Sequence, residues 1–168
     1  MIYVLYGQPG AGKTTLGSML ATQLETPFFI DGDEFREMFA NKNYDKEGRQ
    51  ENIKNANAIA SYLNKKGKID DWVCIYVRDK KNLNSLGGIS VNSETDVVLS
   101  LVNPYQNLRE ELKQANSGEV VEILLQSSRD LRKDYHVKDF EEGEPHHIID
   151  TDKEVIDSWA ELKGLLKL

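Results

Sequence analysis

A single cysteine, Cys74, stands among 168 residues, which excludes an internal disulfide and a zinc cluster built on cysteine thiolates. The histidines at 136, 146 and 147 lack the spacing of a metal-ligand set. No apolar run approaches the roughly 20 residues that a membrane-spanning helix needs. No basic leader precedes the first apolar run, Ile2–Tyr6, so a cytoplasmic location without membrane association is expected. Positive charge is also in short supply: Lys plus Arg number 21 against 28 Asp plus Glu, a formal net charge of −7. A chain that coats nucleic acid or an anionic membrane needs a positive surface, so no nucleic-acid partner is expected. A small polyanion in a local basic pocket stays compatible with that balance. No repeat, low-complexity tract or linker divides the chain, and its length suits one domain over 1–168.

What is present is an alternation of short apolar runs with amphipathic stretches, the pattern of βαβ units around a mostly parallel sheet. Strands are expected at 2–6, 27–30, 96–102, 119–126 and 147–149. Helices are expected at 13–24, 33–40, 46–66, 105–115 and 152–166. Residues 68–95 break the alternation. Two short apolar runs there flank Lys80-Lys81 and Gly87-Gly88, so a β-hairpin excursion is expected, with Trp72 and Tyr76 as its aromatics.

Gly7-Gln-Pro-Gly10-Ala11-Gly12-Lys13-Thr14 matches the G-x-x-x-x-G-K-[ST] pattern, with a strand before it and a helix after it. The glycines let backbone N–H groups close on a phosphate, helped by the positive end of the helix dipole. Lys13 would bridge the β- and γ-phosphates, Thr14 would ligate Mg²⁺, and Thr15 would reach the α-phosphate. ATP and Mg²⁺ are therefore the expected cofactors, in a three-layer α/β/α fold of the P-loop NTPase kind. A glycine-rich turn with an incidental lysine would not need both flanking elements.

Asp31-Gly-Asp33-Glu-Phe-Arg36 follows the second strand, where a doubly wound sheet forms its ligand crevice. Asp31 and Asp33 are candidates to orient and deprotonate a hydroxyl or to hold Mg²⁺, and Arg36 to fork onto an anion. Acidic capping of a helix would account for one aspartate and not for the pair with Arg36.

Together these residues resemble the adenylylsulfate kinases. The likeness continues through Tyr44, Arg49, Asn52 and Ile53, resumes at Leu101-Val-Asn-Pro104-Tyr105, and ends at His146-His-Ile-Ile-Asp150-Thr151. The resemblance implies an ATP-dependent kinase acting on the 3′-hydroxyl of adenosine 5′-phosphosulfate. Asp33 would be the catalytic carboxylate, with Asp31 beside it, and Asp33 would join Thr14 at the metal. Arg36, Arg49 and Asn52 would hold the 5′-phosphosulfate, Tyr44 would stack the base, and Pro104 and Tyr105 would shape the pocket. Arg132 would lie against the donor adenine. Gln106 stands where the family has Arg, Asn103 where it has Ser, and the lid after Arg132 is short. Residues 68–95 have no family counterpart; they would replace the lost lid, form a homodimer contact, or do neither. A kinase of another 5′-modified nucleotide or small hydroxyl-bearing acceptor on the same fold, and a non-catalytic nucleotide-binding module, are the competing readings.

Overall fold

In the first strand, Ile2, Val4 and Tyr6 enter one apolar cluster while Leu5 enters another. This period-two alternation, buried on both sides, is what a central parallel strand requires. The computed structural model describes residues 1–66, 95–129 and 131–168. Its elements are β1 (Ile2–Tyr6), α1 (Lys13–Gln23), β2 (Phe29–Asp31), α2 (Gly32–Met38), α3 (Lys46–Lys66), β3 (Val97–Leu101), α4 (Gln106–Ala115), β4 (Val120–Gln126), β5 (His147–Asp150) and α5 (Val155–Leu166). The expected hairpin, with Trp72, Cys74 and Tyr76, lies outside the described residues apart from Thr95.

The strands pair in the order β2-β3-β1-β4-β5, every described pair parallel. Leu16, Leu20 and Ala21 of α1 and Trp159 and Leu162 of α5 cover one face of the sheet. Phe35 of α2, Ala56 and Ala60 of α3, and Leu112 of α4 cover the other. The result is the three-layer α/β/α fold expected from the alternation of elements.

Two boundaries move for identifiable reasons. β2 begins at Phe29 rather than at 27, because Pro27 has no N–H and Thr26 turns its hydroxyl onto Asp96 O. α5 begins at Val155 rather than at 152, because the Asp152 carboxylate is held by Ser127 and Ser128. The order β3-β1-β4 places the turns after β1 and β3 side by side at the carboxyl edge of the sheet, where an open α/β sheet binds its ligand.

Candidate active site

The turn between β1 and α1 depends on close backbone approach. A Cβ on Gly7, whose φ is +154°, would sit 2.3 Å from Leu125 O, and one on Gly10, with φ +89°, 2.7 Å from Leu131 O. Lys13 follows at the start of α1, its ammonium donating to Gln8 O at 2.7 Å. Burial pushes its pKa down to about 8, against the opposing pull of Asp33 and Asp31.

The Thr14 hydroxyl donates to Asp31 Oδ2 at 2.7 Å. Asp31, only 7% exposed, also caps α2 by accepting the Asp33 N–H at 2.9 Å. The carboxylate in contact with Thr14 is thus Asp31. Asp33 is largely exposed, and its Oδ2 lies 4.0 Å from Arg132 Nη1 on the opposite wall. A hydroxyl and one carboxylate are hard oxygen donors of the kind Mg²⁺ accepts when phosphates and waters complete its shell. Among the described residues there is no cluster of three or more His, Cys, Asp or Glu side chains that could hold a metal ion.

These groups open on a cavity of about 870 Å³, ample for two small phosphate-bearing molecules. Gly10, Gly12, Lys13, Thr14 and Thr15 form its phosphate-loop end; Arg36, Tyr44, Arg49, Asn52 and Pro104 also line it, with Arg132 on a third side. The Arg36 guanidinium stacks 4.5 Å from the Tyr44 ring and donates to Asn43 O at 2.7 Å. Tyr44 itself is exposed. Asn52 Nδ2 donates to Gly32 O at 3.1 Å, while its Oδ1 has no hydrogen-bond partner among the described residues.

Gly7, Ala11 and Tyr105 are not among the lining residues. Gly7 makes the turn, Ala11 is buried in the α1/α5 layer, and Tyr105, 4% exposed, packs with Ile53 and Leu108. Burial and the nearby Asp139 raise the Tyr105 pKa, while the nearby Arg49 guanidinium opposes the rise. Tyr105 therefore meets α3 behind the cavity wall.

Sequence reading missed the support behind this site. Arg109, 1% exposed, stacks 4.3 Å over the Tyr6 ring and donates to Asn103 O, Glu141 O and Glu142 O. Its Nε lies 3.7 Å from Glu122 Oε1 inside the core. The one available signal was Glu122 itself, a charge on the same strand face as the core residues Val120 and Leu124, which demands a buried partner. Also missed was the pairing of Gln8 with Val137, two 2.9 Å hydrogen bonds between residues far apart in the chain. Residues 131–140 carry a single 3₁₀ turn at Lys133–Tyr135, after which Val137 pairs with Gln8 of the phosphate loop.

A parallel α/β/α sheet with a phosphate loop at the carboxyl end of β1, facing carboxylates at and just after the end of β2, defines a P-loop nucleotide-binding domain. The family model described as "AAA domain" matches residues 6–122, and the chain belongs to that family. The chain is 36% identical over 67 residues to a cytidine diphosphoramidate kinase from Campylobacter jejuni, spanning 38% of this chain and 39% of that protein's length. Among solved structures, the Mycobacterium tuberculosis APS kinase in complex with AMPPNP and APS superposes with a TM-score of 0.69 at 14% identity, over 99% of this chain and 97% of the other. A gluconokinase from Sinorhizobium meliloti gives 0.60 at 16% identity, over 98% and 91%. The shikimate kinase of Aquifex aeolicus gives 0.60 at 14%, over 99% and 96%. At such identities these likenesses speak for the fold. No helix among the described residues is long and apolar enough to cross a membrane.

Proposed function

We propose that this kinase transfers the γ-phosphoryl group of ATP to the 3′-hydroxyl of a nucleotide with an anionic 5′-anhydride, adenosine 5′-phosphosulfate being the first candidate. The observation that carries the reading is the shared cavity: the phosphate loop, Asp31 and Asp33 stand together with the Arg36 and Arg49 guanidiniums, the Tyr44 ring and the Asn52 amide. An aromatic face suits a base, and guanidinium forks suit a 5′-anhydride. Asp33 accepts the hydroxyl proton as the 3′-oxygen attacks the γ-phosphorus, and ADP leaves with the bridging oxygen. Lys13 compensates the negative charge on the transferring group. Thr14 and Asp31 would hold Mg²⁺, which would neutralise phosphate charge. Arg36 and Arg49 orient the acceptor, and Arg132 lies on the donor side.

A second reading, cytidine diphosphoramidate as acceptor, is favoured by one observation, the 36% identity to a kinase of that name. Both ligands carry a modified 5′-anhydride, so the same arginines serve either. The test offers γ-labelled ATP with adenosine 5′-phosphosulfate, cytidine diphosphoramidate and their unmodified nucleotides. Label in the first supports the leading reading and label in the second supports the alternative. Label in neither, with a sugar-type hydroxyl phosphorylated instead, removes both.

A further inference from the structure

We propose that Gln8, at a position the phosphate-loop pattern leaves open, is a positioning residue that fixes residues 131–137 on the loop and so holds Arg132 at the cavity. The Gln8 amide donates from Nε2 to Val137 O and accepts the Val137 N–H at Oε1, both at 2.9 Å. This reciprocal pair is the pattern by which a strand neighbour would be held, made here by one side chain. His136 Nε2 adds a contact to Pro9 O at 3.1 Å. Gly10 permits the approach, since a Cβ there would meet Leu131 O at 2.7 Å.

Held at its far end, the segment keeps Arg132 at φ +56°, a left-handed conformation that a non-glycine residue adopts at a cost. From there its guanidinium lines the cavity 4.0 Å from Asp33. Arg132 is exposed, and among the described residues its ion pair is the one with Asp33. Its place is therefore set by its backbone, and the backbone by Gln8. Gln8 also accepts the Lys13 ammonium through its main-chain oxygen, so one residue touches both the phosphate-binding lysine and the wall facing it.

The inference rests on the donor-side role given above to Arg132, and its test needs no acceptor. ATP affinity is measured calorimetrically with Mg²⁺ for wild type, Gln8→Met, Arg132→Ala and the double variant. Each single change is expected to weaken ATP roughly threefold to tenfold, the loss of one or two hydrogen bonds or a charge contact. The double variant is expected to be no weaker than the poorer single one, because Gln8 acts through Arg132. The Val137 amide should exchange faster in Gln8→Met, with the thermal midpoint little changed. Multiplying losses in the double variant would overturn the role of Gln8 alone. An Arg132→Ala protein that binds ATP like wild type would instead remove the donor-side role of Arg132, and the inference with it.

Discussion

The Thr14 hydroxyl donates to Asp31 Oδ2 at 2.7 Å while Asp31 Oδ1 accepts the Asp33 N–H, so one buried carboxylate joins the start of α1 to the start of α2. The phosphate loop and the acceptor wall are thereby linked through two short elements. Asp33 is left at the cavity, facing Arg132.

Removing that link should separate stability from metal use. Asp31→Ala deletes a helix cap and is expected to cost about 1 kcal/mol in urea unfolding. Asp31→Asn keeps an acceptor for the Asp33 N–H and should unfold close to wild type. Both should lose most of the gain in ATP affinity that Mg²⁺ provides, measured by titration with and without the metal. Full retention of that gain would move the metal away from Asp31.

Asp33 has the complementary role. Asp33→Asn should bind ATP, yet transfer should fall roughly 100- to 10,000-fold, the range for loss of a general base. Turnover near the wild-type rate would take Asp33 out of proton transfer and favour a pure positioning role.

Lys13 gives a pH signature. Its folded pKa is pushed down from 10.5 to about 8 by burial. Between those values the unfolded chain binds the proton that the folded chain has released, so this group makes stability rise with pH from about 8 to 10.5. A polyphosphate restores the charged form, and ATP binding at pH 9 should take up a proton that it does not need at pH 6.5. Calorimetry in buffers of different ionisation enthalpy reads this directly. Equal heats across buffers at pH 9 would contradict it.

Arg109 is the main buried charge on the α4 side. Arg109→Met should destabilise the fold by about 3 kcal/mol, because it removes the buried cation beside Glu122 Oε1 and leaves that carboxylate only Lys113, 3.3 Å from its other oxygen. Replacing Glu122 with Leu in the same chain should recover part of that loss. Urea midpoints of the single and double variants test the coupling.

The layers were legible because β1, β3 and β4 are apolar runs of strand length, and because α3 repeats Ile53, Ala56 and Ala60 at helical spacing. Gly7–Thr14 was legible because its chemistry is local: glycines, lysine and hydroxyl lie within one turn. Asp31 and Asp33 were legible as a pair, but the contact that each makes was not. Which carboxylate meets Thr14 depends on Asp31 capping α2, a geometric outcome that two aspartates separated by one glycine do not announce. Tyr105 reads in sequence as a pocket residue, yet the turn into α4 carries it behind the wall, against Ile53. Gln8 and Val137 were invisible, since no period or motif links a loop amide to a backbone so far along the chain.

The account's central claim is that the acceptor is a nucleotide with a modified 5′-end. The most direct measurement is a competition in which γ-labelled ATP meets adenosine 5′-phosphosulfate, cytidine diphosphoramidate, gluconate and shikimate at equal concentration, with the site of phosphorylation mapped in the product. Label on the 3′-oxygen of a nucleotide is the predicted result. Label on gluconate or shikimate, with both nucleotides untouched, would contradict the claim.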